Sequence, residues 1–246
     1  MNPEPTVERL RAMRLSAMAD AYLAQRQDSK IAALGFDERL TMIVDAEHLF
    51  RDNRKLARRL KEAKLRIGQA CVEDIEYAPK RDIDKAQIRQ LATCRWVQEH
   101  HNILITGATG VGKTYVACAL AQQACRKGYR TIYRRLGRLF EELNLARADG
   151  SYAKLLGRLA RMDVLVLDDW GIAPIKDTQR QDLLEVMEDR DGVRSSVITS
   201  QLPRDKWHDY IGDPTVADAV LDRIVHNAYT IALKGPSRRK EMATKH

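Results

Sequence analysis

The chain has 246 residues, 44% hydrophobic and 31% charged, which is too much apolar material for a disordered chain and enough for one α/β domain with a smaller appendage. A formal net charge of +8 and a pI near 9.4 favour phosphate-rich partners, nucleic acid foremost, without specifying a fold. Cys71, Cys94, Cys118 and Cys125 are too sparse and wrongly spaced for a zinc site or a disulfide framework, and no window approaches the roughly 18 apolar residues of a membrane span, so reduced thiols and a cytoplasmic location are expected.

In chain order, Leu10, Met13, Ala17, Ala21 and Ala24 recur at helical spacing and predict one helix from Val7 to about Gln27. A second helical pattern covers Phe36 to Phe50, and a third covers Arg54 to Ile67, with Leu56, Leu60, Ala63 and Ile67 as a narrow apolar stripe. Eight Lys or Arg against two acids, Asp52 and Glu62, lie between Arg51 and Arg66. Arg54, Lys55, Arg58 and Arg59 are therefore candidate contacts to DNA phosphates, although the same run suits a solvated face or a protein partner. The stretch Tyr77-Ala78-Pro79-Lys80 breaks the pattern, because proline cannot continue a helix. It divides a helical N-terminal domain, residues 1–75, for DNA or partner binding, from a second domain, residues 76–246.

After a helical stretch from Ile83 to Leu91, apolar runs alternate with helical ones. Strands are predicted at Asn102 to Thr106, Arg130 to Tyr133, Val164 to Leu167, Val197 to Ser200 and Tyr229 to Leu233. This alternation predicts the α/β class, with a parallel five-stranded sheet flanked by helices.

The first strand runs into Gly107-Ala108-Thr109-Gly110-Val111-Gly112-Lys113-Thr114, and Tyr115 to Ala121 is helical. This is a complete G-x-x-x-x-G-K-[ST] pattern in its strand, loop, helix context. Residues 107 to 112 offer backbone N–H groups as an anion cradle at a helix N-terminus. Lys113 is placed to reach the β and γ phosphates of ATP, and the Thr114 hydroxyl to ligate Mg²⁺. The third strand, VLVLDD, ends in two adjacent carboxylates, which need a cation, a proton or a task. Asp168 suits the Mg²⁺ shell; Asp169 suits the attacking water, or merely caps the next segment. The fourth strand also ends in polar side chains, at Thr199, Ser200 and Gln201, as expected of a group facing a γ phosphate.

Taken together, GATGVGKT, VLVLDDWG, VITSQLP, GDPTVADAVLDRIVHNAY and LKGPSRRK resemble the AAA+ ATPases of the initiator and helicase-loader group. Within that group the chain is most similar, over nearly its whole length, to the IstB proteins encoded beside the transposase in one family of bacterial insertion sequences. The resemblance implies a P-loop AAA+ domain in which Lys113 and Thr114 match the Walker A pair and Asp168 the Walker B metal ligand. Asp169 falls where many relatives carry a catalytic glutamate, and Gln201 at a sensor position that is usually asparagine. Arg223 matches the arginine finger that reaches the γ phosphate of the next subunit, and Arg239 matches a sensor arginine after the last strand. The shorter acid at Asp169 and the longer amide at Gln201 imply slow or conditional hydrolysis.

The same resemblance implies a helical insertion between the second and third strands, Leu136 to Met162, that faces DNA. Arg138, Arg147, Lys154, Arg158 and Arg161 lie in it, and Arg134 and Arg135 just before it. The implied function is an ATP-dependent helper that assembles on double-stranded DNA with little sequence preference, as a homo-oligomer with ATP sites between subunits, and delivers or activates a cognate transposase. A replicative helicase loader of the DnaC type, a small P-loop kinase, and an ATP clamp with incidental hydrolysis are the alternatives.

Overall fold

A computed structural model describes residues 4–77 and 82–237 of the chain. Two compact units divide it, Met1–Arg58 and Arg59–His246. No helix among the described residues is long and apolar enough to cross a membrane.

The smaller unit contains α1 (Glu4–Ala12), α2 (Ser16–Gln27), α3 (Ser29–Ala32) and most of α4 (Phe36–Ala63). The single helix expected over residues 7–27 is thus two. Arg14 takes a left-handed backbone (φ 61°) and the Leu15 N–H turns back to the Leu10 carbonyl, a geometry that stops a helix. The two helices expected over 36–50 and 54–67 are instead the one helix α4. Nothing in Arg51-Asp52-Asn53 forbids helix, and the pairs Arg51–Glu47 at 2.8 Å and Lys55–Asp52 at 3.2 Å reinforce it across the expected break. Glu47 also accepts from the Ala17 and Met18 N–H groups in the first turn of α2, which fastens α2 to α4.

The expected boundary at 75/76 differs from the observed division at 58/59. Past Lys64, whose left-handed backbone (φ 51°) closes α4, Ala70 and Ile75 are buried in the core of the larger unit, and Leu65, Ile67, Val72 and Tyr77 lie against it. Of the stripe Leu56, Leu60, Ala63 and Ile67, the first three lie in α4, and Ile67 belongs to the irregular segment that follows it. Ala78, Pro79 and Lys80 of the expected linker lie outside the described residues.

The larger unit continues with α5 (Lys85–Ala92), α6 (Arg95–Gln98), β1 (Asn102–Gly107), α7 (Lys113–Arg126), β2 (Thr131–Arg135), α8 (Leu136–Ala148) and α9 (Tyr152–Ala160). It closes with β3 (Val164–Trp170), α10 (Asp177–Glu188), β4 (Ser195–Ser200), α11 (Trp207–Ile211), α12 (Pro214–Val225) and β5 (Ala228–Leu233). The five strands are all parallel, in the order β2-β3-β4-β1-β5. All five fall where the sequence places strands.

Both faces of the sheet are covered, which is why its strands are apolar at consecutive positions. Ile103, Ile105, Val164, Val166 and Val197 join one core with α5 and α7, while Leu104, Leu165, Leu167 and Ile198 join another with α8, α10, α11 and α12. Side chains alternate between faces along a strand, so one tetrapeptide serves two cores. Burial pushes the thiols of Cys94 and Cys118 up to about 11, leaving them packing groups.

This topology decides where chemistry collects. β1 lies beside β4, and β4 beside β3, so the carboxyl ends of three parallel strands open onto one crevice. At the opposite end, the Asn102 side chain donates to the carbonyls of Arg223 and Ile224 and accepts from the Ser196 N–H. One buried amide thereby fixes the end of α12 at the amino ends of β1 and β4.

Candidate active site

The loop between β1 and α7 is built on two glycine positions. Gly107 has φ 147°, and a Cβ there would collide with the Leu233 carbonyl oxygen on the paired strand β5. Gly112, with φ 109°, caps α7, so the loop enters the helix with its N–H groups directed outward. The Lys113 ammonium lies along the loop, 2.8 Å from the Gly107 carbonyl oxygen and 2.9 Å from that of Ala108. The Thr109 hydroxyl donates to the Gln201 side-chain oxygen, which joins the loop to the end of β4.

At the end of β3 the ladder with β4 slips between Leu167 and Trp170, and Asp169 takes a left-handed backbone, φ 66°. The bulge gives the two aspartates different surroundings. Asp168 is fully buried, and its carboxylate accepts from the hydroxyls of Thr114, Thr199 and Tyr133, with Thr114 at 3.0 and 3.1 Å from its two oxygens. Three hydroxyl donors replace the water that burial removes. Asp169 is about a quarter exposed and is held by Arg135 at 2.7 Å. Arg66 stands between them, 3.6 Å from an oxygen of each.

Burial and the Asp168 carboxylate raise the Tyr133 phenol, so this hydroxyl stays a donor at neutral pH. Burial works against the Arg66 charge, but the Tyr133 hydroxyl and the two carboxylates outweigh it and raise the guanidinium above its usual value.

These groups line a cleft of about 450 Å³, with Arg66, Thr109, Lys113, Thr114, Asp169 and Gln201 on its walls. A hydroxyl and a carboxylate facing each other at 3.0 Å are hard oxygen donors, which fits a magnesium ion. Beside them a lysine and a glycine loop offer positive groups for phosphate.

Other expected site residues lie elsewhere. Arg223 is in the last turn of α12, donating to the Ala219 carbonyl at 2.7 Å and lying 3.4 Å from Glu188. Its carbonyl is held by Asn102, the first residue of β1, whereas the loop starts at Gly107, the last. A six-residue strand separates them by roughly 17 Å, so Arg223 does not line the loop of its own chain. It lines instead a pocket of about 240 Å³ with Arg190, Arg194, Asp191, Asp222 and His226. Arg239 lies outside the described residues.

Among the expected DNA contacts, Arg134 is corrected: it is buried, pairs with Glu142 at 2.9 Å and donates to the Tyr133 carbonyl. β2 is covered on both faces up to this residue, so an arginine there points into structure. Arg135 is taken up by Asp169, and Arg147 by Asp182 and the Tyr152 ring. Arg138, paired with Glu141, and Lys154, Arg158 and Arg161 are exposed on the region of α8 and α9. In the basic helix, Arg54 lies over the Phe50 ring, Lys55 pairs with Asp52, Arg58 is exposed, and Arg59 is half-buried.

Sequence reasoning missed Arg66, Tyr133 and the pairing of Arg135 with Asp169. Arg66 counted only as charge, and nothing in its spacing separates it from its basic neighbours. Tyr133 and Arg135 become neighbours of β3 once β2 is seen to run parallel to it, with Arg135 opposite Asp168.

The model of a family described as IstB-like ATP binding protein matches residues 8–246. A relative in Sinorhizobium fredii, described as an insertion sequence ATP-binding protein, is 45% identical and covers 100% of both chains. A second, in Pseudomonas fluorescens, is 46% identical over 82% of this chain and 88% of its own. Among solved structures, the DnaC helicase loader matches 67% of this chain and 97% of its own with a TM-score of 0.54 at 24% identity. DnaI matches 68% and 92% with a TM-score of 0.58 at 21% identity. At those identities the likeness shows a shared fold.

Proposed function

The chain belongs to the IstB-like ATP-binding proteins of insertion sequences, and from that membership we propose that it is an ATP-hydrolysing, DNA-binding helper that assembles on target DNA and delivers or activates a transposase. The observation that carries the reading is the convergence, in one cleft, of Lys113 and Thr114 from the loop, Asp169 from β3 and Gln201 after β4, with the buried Asp168 carboxylate directly behind Thr114 at 3.0 Å.

Residues 107 to 112 cradle the phosphates through their N–H groups, and Lys113 leaves its two carbonyl partners to meet the β and γ phosphates. Thr114 and Asp168 hold magnesium, which when bound neutralises charge developing on the phosphoryl oxygens. Asp169 orients the attacking water and takes its proton, with Gln201 beside it. In the structure Asp169 is engaged by Arg135 and Gln201 by Thr109, so both must be released before they can act. That agrees with conditional hydrolysis.

Arg223, remote from its own loop, completes the site of a neighbouring subunit, and Arg239 acts as a sensor of bound nucleotide. ATP binding and assembly are then one linked equilibrium. Exposed cations of α8, α9 and α4, including Arg138, Lys154, Arg158, Arg54, Lys55 and Arg58, meet DNA phosphates; Arg59 is a lesser contributor, being half-buried.

Duplex-DNA binding with a non-hydrolysable ATP analogue, over a salt series, tests this. Binding that strengthens with nucleotide, falls steeply with salt and stimulates ATP hydrolysis is expected, and capture of a cognate transposase by the DNA-bound protein completes it. Salt-independent binding, or capture of a replicative helicase in place of a transposase, overturns it.

A further inference from the structure

Arg66 lines the cleft, yet nothing in the proposed reaction uses it. It comes two residues after Lys64, which closes α4, and it reaches Oδ2 of Asp168 and Oδ2 of Asp169, each at 3.6 Å, with the Tyr133 hydroxyl alongside. Its side chain is 40% exposed while that of Asp168 is 1% exposed, so the guanidinium covers the carboxylates from the open side of the cleft. Arg135 does not duplicate it, since it engages Asp169 alone.

Oδ2 of Asp168, the oxygen that Arg66 reaches, is also 3.1 Å from the Thr114 hydroxyl, and Oδ1 of the same carboxylate is 3.0 Å from it. They are also the hard donors that suit a divalent cation. A divalent cation at Asp168 and the Arg66 guanidinium 3.6 Å from the same carboxylate would repel each other and so compete for it, because water screens charges poorly there. Two adjacent carboxylates with neither cation would repel each other for the same reason. At Asp168, which Arg135 does not reach, one such cation at a time satisfies the carboxylate.

We propose that Arg66 is an internal counter-ion of Asp168 and Asp169 that exchanges with the divalent cation accompanying the nucleotide, so that loading of the cleft releases Arg66 and the backbone that follows α4. This rests on the reading of the cleft as a magnesium–nucleotide site. The released segment is short and bounded. Lys64 is held in a left-handed conformation on one side, and on the other Ala70 is buried and hydrogen-bonded to the Ile67 carbonyl. Ile67 itself lines the cleft, so a shift of Arg66 is felt between residues 64 and 70.

The test uses the full chain and a fluorescent ATP analogue, with binding followed as magnesium chloride is titrated. Arg66→Gln removes the competitor and should lower the magnesium midpoint about 5- to 10-fold, the low end of common coupling between exclusive ligands. Arg66→Lys, which keeps the charge, should stay nearer the parent, and Arg95→Gln, an exposed cation outside the cleft, should match it. Hydrogen exchange supplies a second readout that needs no variant: in the parent chain, amides 64–70 should exchange faster with magnesium and nucleotide than with nucleotide in EDTA. Magnesium-dependent binding with an unmoved or raised midpoint in Arg66→Gln, or unchanged exchange over 64–70 in the parent, overturns the counter-ion assignment alone. Nucleotide binding in the parent that ignores magnesium overturns the reading of the cleft and the exchange with it.

Discussion

The two ends of the parallel sheet use arginine in opposite ways. At the carboxyl ends of β3 and β2, Arg66 and Arg135 sit on the charges of Asp168 and Asp169. At the amino ends, Arg190 is buried and gives its hydrogen bonds to the carbonyls of Leu159, Met162 and Ser195, while Arg223 is braced by Ala219 and Glu188. The first end is a set of side-chain pairs that can be exchanged for a ligand. The second is held largely by contacts to backbone carbonyls and places Arg223 at a pocket, shared with Arg190 and Arg194, without a phosphate loop. Neither end carries every part that phosphoryl transfer uses, and on the proposed reading the two ends, from neighbouring subunits, would together make one site.

The sharpest way to break this contrast is Arg223→Ala. An arginine finger is worth about 10³- to 10⁵-fold in rate, so steady-state hydrolysis should all but vanish while nucleotide affinity of the isolated chain, read by fluorescence titration, stays within about twofold. Loss of binding would mean that Arg223 supports its own fold or site. Next in size is Asp168→Asn. Partners that merely orient a metal ligand cost about 10- to 100-fold in metal affinity, so losing the ligand itself should raise the magnesium midpoint by more than about 100-fold. A circular-dichroism melt guards against a folding defect.

Smaller effects sharpen the distinction between scaffold and site. Arg190→Met strands three carbonyls and should lower stability by about 3 kcal/mol in urea titration, with little change in magnesium dependence of nucleotide binding. Burial already holds the Arg190 guanidinium down at about 9, which marks how much its charge costs in place. Thr199→Val keeps the volume and removes one donor to Asp168; about 1 kcal/mol of stability and a shift of the magnesium midpoint within about 10-fold are expected. If Thr199→Val leaves the midpoint untouched, Thr199 serves the β4 ladder and not the metal ligand.

Much of the fold was legible because local patterns there agree with the tertiary answer. Four of the five apolar runs are strands buried on both faces, β5 at the edge buries Ile231 and Leu233 on one face, and the glycines of the loop between β1 and α7 stand where φ is positive. The N-terminal boundaries were misread for the opposite reason. Leu65, Ile67 and Ala70 continue a helical spacing, yet Lys64 turns left-handed and tertiary burial takes those residues over. In the candidate site, the meeting of Thr114 with Asp168 was legible, because one loop and one strand end place them. Arg66 was not, since its place depends on how a segment without secondary structure lies on the sheet. Arg134 shows the limit of reading charge as surface: its neighbour Arg135 is exposed, and one step along β2 reverses the direction of the side chain.

Mixing two inactive variants probes the composite site itself. Lys113→Ala lacks the phosphate contact but keeps Arg223, and Arg223→Ala lacks the finger but keeps the loop. Combined in equal amounts with duplex DNA and ATP, they should recover hydrolysis, because some neighbouring pairs then join an intact loop to an intact Arg223. A mixture as inactive as either variant alone, under conditions where the parent chain turns over, would contradict a site shared between subunits.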